Sequence, residues 1–89
     1  MSWSDEQDVI SRANIANAGL GATVYSSDVA HAEKIARQLE AGTVWINMSE
    51  QPHPGAYFAG MKDSGFGGEM GQQGLLSYCH TQSLHFAKA

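Results

Sequence analysis

Cysteine occurs once in this chain, at Cys79, so no intrachain disulfide can form and no CxxC pair is available for zinc. That usage fits a reducing, cytoplasmic setting. Long apolar runs are missing as well, the longest having four residues, and the N-terminus opens on acidic Asp5, Glu6 and Asp8. Neither a membrane span nor a signal peptide is expected. Positive charge is scarce: five Lys and Arg stand against nine Asp and Glu, for a net charge of −4. Arg12, Lys34, Arg37, Lys62 and Lys88 are scattered along the chain, which argues against a nucleic-acid footprint. His31, His53, His80 and His85 lack metal-ligand spacing and read as surface or capping residues.

What is present is an ordinary apolar fraction, 43%, on 89 residues, enough for one small domain and too apolar for a disordered tail. Ser4 with Gln7 reads as an N-cap, and Val9, Ile10, Ala13 and Ala16 recur at helical spacing, predicting a helix over 5–17. A short strand is expected over 20–25. Asp28 then caps a second helix over 28–41, with Ala32, Ile35, Ala36 and Leu39 as its stripe and Gly42 as its stop. Except at its ends, the run 43–47 is apolar on both faces, as in a strand covered by helices on both sides, so 20–47 reads as one βαβ crossover.

Periodicity vanishes from Met48 to Gly68, where Pro52, Pro54 and five glycines break regular structure. Loops of that length in compact domains are functional or are linkers. A short helix over 69–78, weakened by Gly71 and Gly74, and a terminal strand over 81–86 complete the reading. Two parallel strands with three helices cannot cover both faces of a sheet or close its edges. Val44, Trp45 and Ile46 are therefore expected on an open edge of an incomplete α/β unit.

Candidate chemistry is sparse. In Gly65-Phe66-Gly67-Gly68-Glu69-Met70, Met70 stands where G-x-G-x-x-G needs its last glycine and no strand precedes, so a tight loop is expected rather than a phosphate cradle. Cys79 beside His80 lacks a third orienting group and reads as a buried or partly buried, inert cysteine.

More specific are the strings Gly19-Leu20-Gly21-Ala22-Thr23-Val24 and Gly42-Thr43-Val44-Trp45-Ile46-Asn47, and the run from Phe58 to Glu69. Together they closely resemble the C-terminal region of NAD(P)-dependent aldehyde dehydrogenases, the last run matching that family's P-F-G-G-x-K-x-S-G-x-G-R-E segment. The resemblance implies an α/β fold class: an incomplete C-terminal fragment of an aldehyde dehydrogenase-like fold. It would comprise a βαβ unit, a long Gly-rich loop, a short helix and a terminal strand. Residues 1–79 would form the end of the catalytic domain and 80–89 the oligomerisation strand.

The same resemblance implies oxidation of an aldehyde to a carboxylic acid with NAD or NADP in the complete enzyme. The nucleophilic cysteine, the general-base glutamate and the cofactor-ribose glutamate would all lie upstream of the matched region. This chain alone is then expected to bind no cofactor and to be inactive, with no catalytic residue and no metal. Two residues carry a substrate-binding expectation: Phe58, matching the tunnel-wall phenylalanine, and Asn47, ending its strand near the active-site side. Three departures stand out: Tyr57 for proline, Ala59 for glycine and Gly68 for arginine. His80 also replaces a common glutamate, so that no carboxylate is left unpaired beside Gly68 in a subunit contact. Expected partners are an aldehyde and further subunits of the family, with neither nucleic acid nor membrane. The alternative is a stand-alone, non-catalytic partner that binds full-length dehydrogenase subunits through its last strand.

Overall fold

The structure, a computed structural model, describes residues 2–88; Met1 and Ala89, the outer ends of the two expected units, lie outside it. Helix α1 is Glu6–Asn14, and its cap is Asp5 rather than Ser4. The Asp5 carboxylate accepts from the Asp8 N–H at 2.7 Å, and a charged acceptor at the positive helix end outcompetes a hydroxyl one residue earlier. Strand β1, Ala18–Gly19, precedes β2, Gly21–Val24. Helix α2, Val29–Ala36, starts from the expected Asp28 cap but stops five residues short of the expected end.

Asn14 shows why it stops. Its carboxamide donates to the Gln38 carbonyl at 2.8 Å and accepts from the Glu40 N–H at 2.9 Å, taking backbone groups that a longer helix would use. Strand β3, Thr43–Ile46, pairs parallel with β2 in the register Gly21↔Thr43 to Val24↔Ile46. The expected βαβ unit is therefore β2–α2–β3. Ala32 of α2 is fully buried, and Ile10 of α1 and Trp45 of β3 complete a thin core.

The segment expected as a loop contains three two-residue strands, too short to show periodicity: β4 (Phe58–Ala59), β5 (Met61–Lys62) and β6 (Gly68–Glu69). Strands β4 and β6 form an antiparallel pair, and β5 pairs antiparallel with β1. Side chains supply what so few ladder bonds cannot. The Ser64 hydroxyl accepts from the Gly19 N–H at 2.7 Å, and the Lys62 ammonium donates to the Asn14 and Ala16 carbonyls at 2.6 and 3.1 Å. The same ammonium lies 2.5 Å from a Glu40 carboxylate oxygen.

Helix α3 is Gly71–Leu76, shorter than expected at both ends. It follows Met70, whose φ of 66° and ψ of 163° belong to a region that side chains disfavour. Met70→Gly is expected to stabilise the chain by about 1 kcal/mol in urea unfolding by relieving that strain. The expected strand over 81–86 is not formed. A strand needs a hydrogen-bonding neighbour, and among the described residues none lies beside this exposed segment. Leu84 and Phe86 are accordingly 69% and 87% exposed.

Candidate functional site

Trp45 places its indole at the bottom of the Met48–Tyr57 segment, where Nε1 donates to the Gln51 carbonyl at 3.2 Å. That bond fixes the ring, because an indole has only one polar hydrogen to satisfy. Phe58, held in β4 by its pairing with Glu69, lies with its ring centroid 6.4 Å from that of Trp45, tilted by 39°. The two rings shape a cavity of 330 Å³ bounded by Leu20, Gly21, Trp45, Glu50, Pro52 and Phe58. A smaller cavity of 80 Å³ touches both rings and is lined also by Tyr57 and His53. Apolar walls with few polar groups suit a small organic ligand.

Asn47 is placed differently from Phe58 and is not among the residues lining these cavities. Its backbone turns left-handed at φ 55°, which asparagine tolerates better than most residues. Its carboxamide oxygen accepts from the Ser26 N–H, its NH₂ donates to the Ser26 carbonyl, both at 2.8 Å, and its backbone N–H donates to Val24 at 2.9 Å. The side chain thus acts as one more peptide unit at the end of the β2–β3 ladder. From there the chain departs towards Glu50 and Pro52.

The three departures noted in the sequence meet in space. A Cβ on Gly68 would sit 2.6 Å from the Ala59 Cβ, 2.6 Å from the Phe58 carbonyl oxygen and 2.7 Å from the Tyr57 ring. The Tyr57 ring thus fills the space beside Gly68 that any side chain there would enter. Cys79 is exposed, not buried, because α3 ends before it and residues 80–88 are themselves exposed. The His31 ring lies 2.6 Å from a Glu6 carboxylate oxygen, joining α1 to α2, a partnership that residue spacing did not reveal. Among the described residues no group of three metal-ligating side chains converges.

The glycine-rich stretch does not have the geometry of a dinucleotide site. Gly68 and Glu69 are paired in β6, and the following helix has only six residues and no side-chain cap. A phosphate cradle presents several loop N–H groups at the N-terminus of a longer helix, whereas here Met70 alone joins β6 to the six-residue α3. This stretch therefore does not form a phosphate cradle for NAD(P).

Comparison with known proteins places this geometry in a family. The model of the aldehyde dehydrogenase family matches residues 1–84, and the chain belongs to that family. Aldehyde dehydrogenase LUC3 of a Fusarium species is 38% identical over 97% of this chain. Betaine aldehyde dehydrogenase 2 of Rhizobium meliloti is 40% identical over 94% of it. Among solved structures, betaine aldehyde dehydrogenase of Staphylococcus aureus in complex with NAD+ superposes with a TM-score of 0.83 at 38% identity. That match covers 88% of this chain and 15% of the other. The chain spans about a fifth of the length of the curated relatives it matches, 19% for LUC3. No helix among the described residues is long and apolar enough to cross a membrane.

Proposed function

We propose that this chain is the C-terminal segment of an NAD(P)-dependent aldehyde dehydrogenase, in which it supplies part of the substrate-tunnel wall and a subunit contact but no catalytic group. The observation that carries this reading is the cavity walled by Phe58 and Trp45, in a chain that belongs to the family. Phe58 contacts the organic part of the aldehyde. Asn47 is a positioning residue: by closing the β2–β3 ladder against Ser26 it sets where the segment carrying Glu50 and Pro52 leaves the sheet.

Residues 1–79 complete the catalytic domain, and 80–89 pair with another subunit. The exposure of Leu84 and Phe86, which face no strand of their own, supports the second assignment. Gly68 and His80 belong to that contact, where neither leaves a charge in need of a partner. A cytoplasmic location accords with the single, unpaired Cys79.

In the full-length enzyme, Phe58→Ala should lower kcat/KM for bulky apolar aldehydes by the equivalent of about 1 to 3 kcal/mol and leave short aldehydes less affected. A series of n-alkanals and arylalkanals read at 340 nm measures this. Equal losses at every chain length would place Phe58 in general packing and remove the tunnel-wall reading.

A further inference from the structure

Just before β4 the chain turns tightly over 53–56, and one side chain fastens the turn. The Ala56 N–H donates to the His53 carbonyl at 2.9 Å, and the Gly55 N–H donates to Nδ1 of the His53 ring at 3.0 Å. Asn and Asp at the first position of such turns accept from the N–H two residues on; here an imidazole does so. The ring lies close over Gly55, where a Cβ would come within 3.2 Å of Nδ1 and Cε1. The Pro54 carbonyl accepts from the Gly71 N–H at 2.8 Å, so the turn is tied to the start of α3 as well as to β4. His53 also lines the 80 Å³ cavity together with Trp45, Tyr57 and Phe58.

A backbone N–H can only donate, so Nδ1 carries no hydrogen while this bond lasts and the ring keeps its one N–H at Nε2. Protonating the ring sets a second hydrogen on Nδ1, against that of Gly55, and the bond is lost. Among the described residues no ion pair involves His53, and neither Glu50 on its own segment nor Glu69 on β6 is hydrogen-bonded to the ring. Tyr57 is the only other titratable residue lining the small cavity.

We propose that His53 is a positioning residue: its neutral ring holds the turn that seats Phe58 for bulky aldehydes, and protonation releases it, so that selection among aldehydes depends on pH. The proposal rests on the tunnel-wall reading of Phe58. The bond belongs to the neutral ring, so the seating is complete on the alkaline side of histidine's range and is lost as the pH falls.

The test uses the full-length enzyme that carries this segment and the ratio of kcat/KM for 3-phenylpropanal to that for propanal, in which the pH dependence of the shared chemistry cancels. From about pH 5.5 to about pH 8 this ratio should rise about threefold, the worth of one neutral hydrogen bond. In His53→Asn, whose side-chain oxygen accepts from the same N–H at every pH, the ratio should stay flat at the high value, and in His53→Leu flat at the low one. Hydrogen–deuterium exchange of a peptide spanning 53–57 reads the turn without substrate. On the alkaline side the unmutated enzyme and His53→Asn should be protected alike, and on the acid side, at equal pD, the unmutated enzyme should be the less protected. A ratio that rises as steeply in His53→Asn, a His53→Leu ratio equal to the unmutated value at high pH, or coincident exchange of the two proteins on both sides overturns the proposal. Phe58→Ala keeps the two readings apart. If it leaves the ratio unchanged, the tunnel-wall reading falls; if it lowers the ratio while that of the unmutated enzyme is the same at every pH, only the His53 assignment falls.

Discussion

Gly42→Ala is expected to unfold this chain or cost it more than about 3 kcal/mol, although Gly42 is exposed and in no helix or strand. A Cβ at this position would lie 1.6 Å from the Ala59 carbonyl oxygen and 2.7 Å from its carbon. Neither atom can yield without moving β4, and with it Phe58. On the other side Gly42 donates to the Gly19 carbonyl at 2.9 Å, so it cannot retreat either. Gly65→Ala provides the contrast: its φ of 106° strains a side chain, but nothing lies within 4 Å of the added carbon. That variant should lose only about 1 kcal/mol. Urea unfolding followed by Trp45 fluorescence in a Trp3→Phe background measures both, and similar losses would show that close backbone approach is not what Gly42 provides.

Lys62→Met should destabilise the chain by about 1 to 2 kcal/mol, whereas Glu40→Gln should cost under about 0.5 kcal/mol. Both residues belong to one ion pair, but their surroundings differ. The Lys62 side chain is 25% exposed and its ammonium bonds two carbonyls at and just after the end of α1, so removing it costs both a charged donor. The Glu40 side chain is 54% exposed and can exchange the ammonium for water. Methionine keeps the aliphatic stem, so the loss reports the ammonium rather than packing. Equal losses in the same unfolding assay would shift the weight from the carbonyl contacts to the ion pair.

Helices and the parallel pair were legible because each repeats a pattern: Asp28 as cap with Ala32, Ile35 and Ala36 on one face, and the apolar run Val44-Trp45-Ile46 in β3. The end of α2 was not, since it is set by Asn14, 24 residues away from Gln38. Gly42 was read as a helix stop, yet the helix ends at Ala36 and the residue is glycine because another backbone crosses it. Strands of two residues carry no period, and Lys62 looked like one of five scattered cations. Phe58 was singled out only through family resemblance, and the structure places it against Trp45. Glu50, a single acid in an aperiodic segment, gives no signal in the sequence, although it lines the same cavity as Leu20, Trp45 and Phe58.

The central claim is that this chain contributes surfaces to aldehyde oxidation and none of its chemistry. Its most direct test is NAD(P)H formation at 340 nm by the purified 89-residue chain, supplied with an aldehyde and either cofactor. The expected result is no rate above the protein-free blank, because Cys79 is exposed and among the described residues its thiol has a hydrogen bond only to the Leu75 carbonyl, with no base. Turnover that survives repurification and disappears in Cys79→Ser would contradict the account.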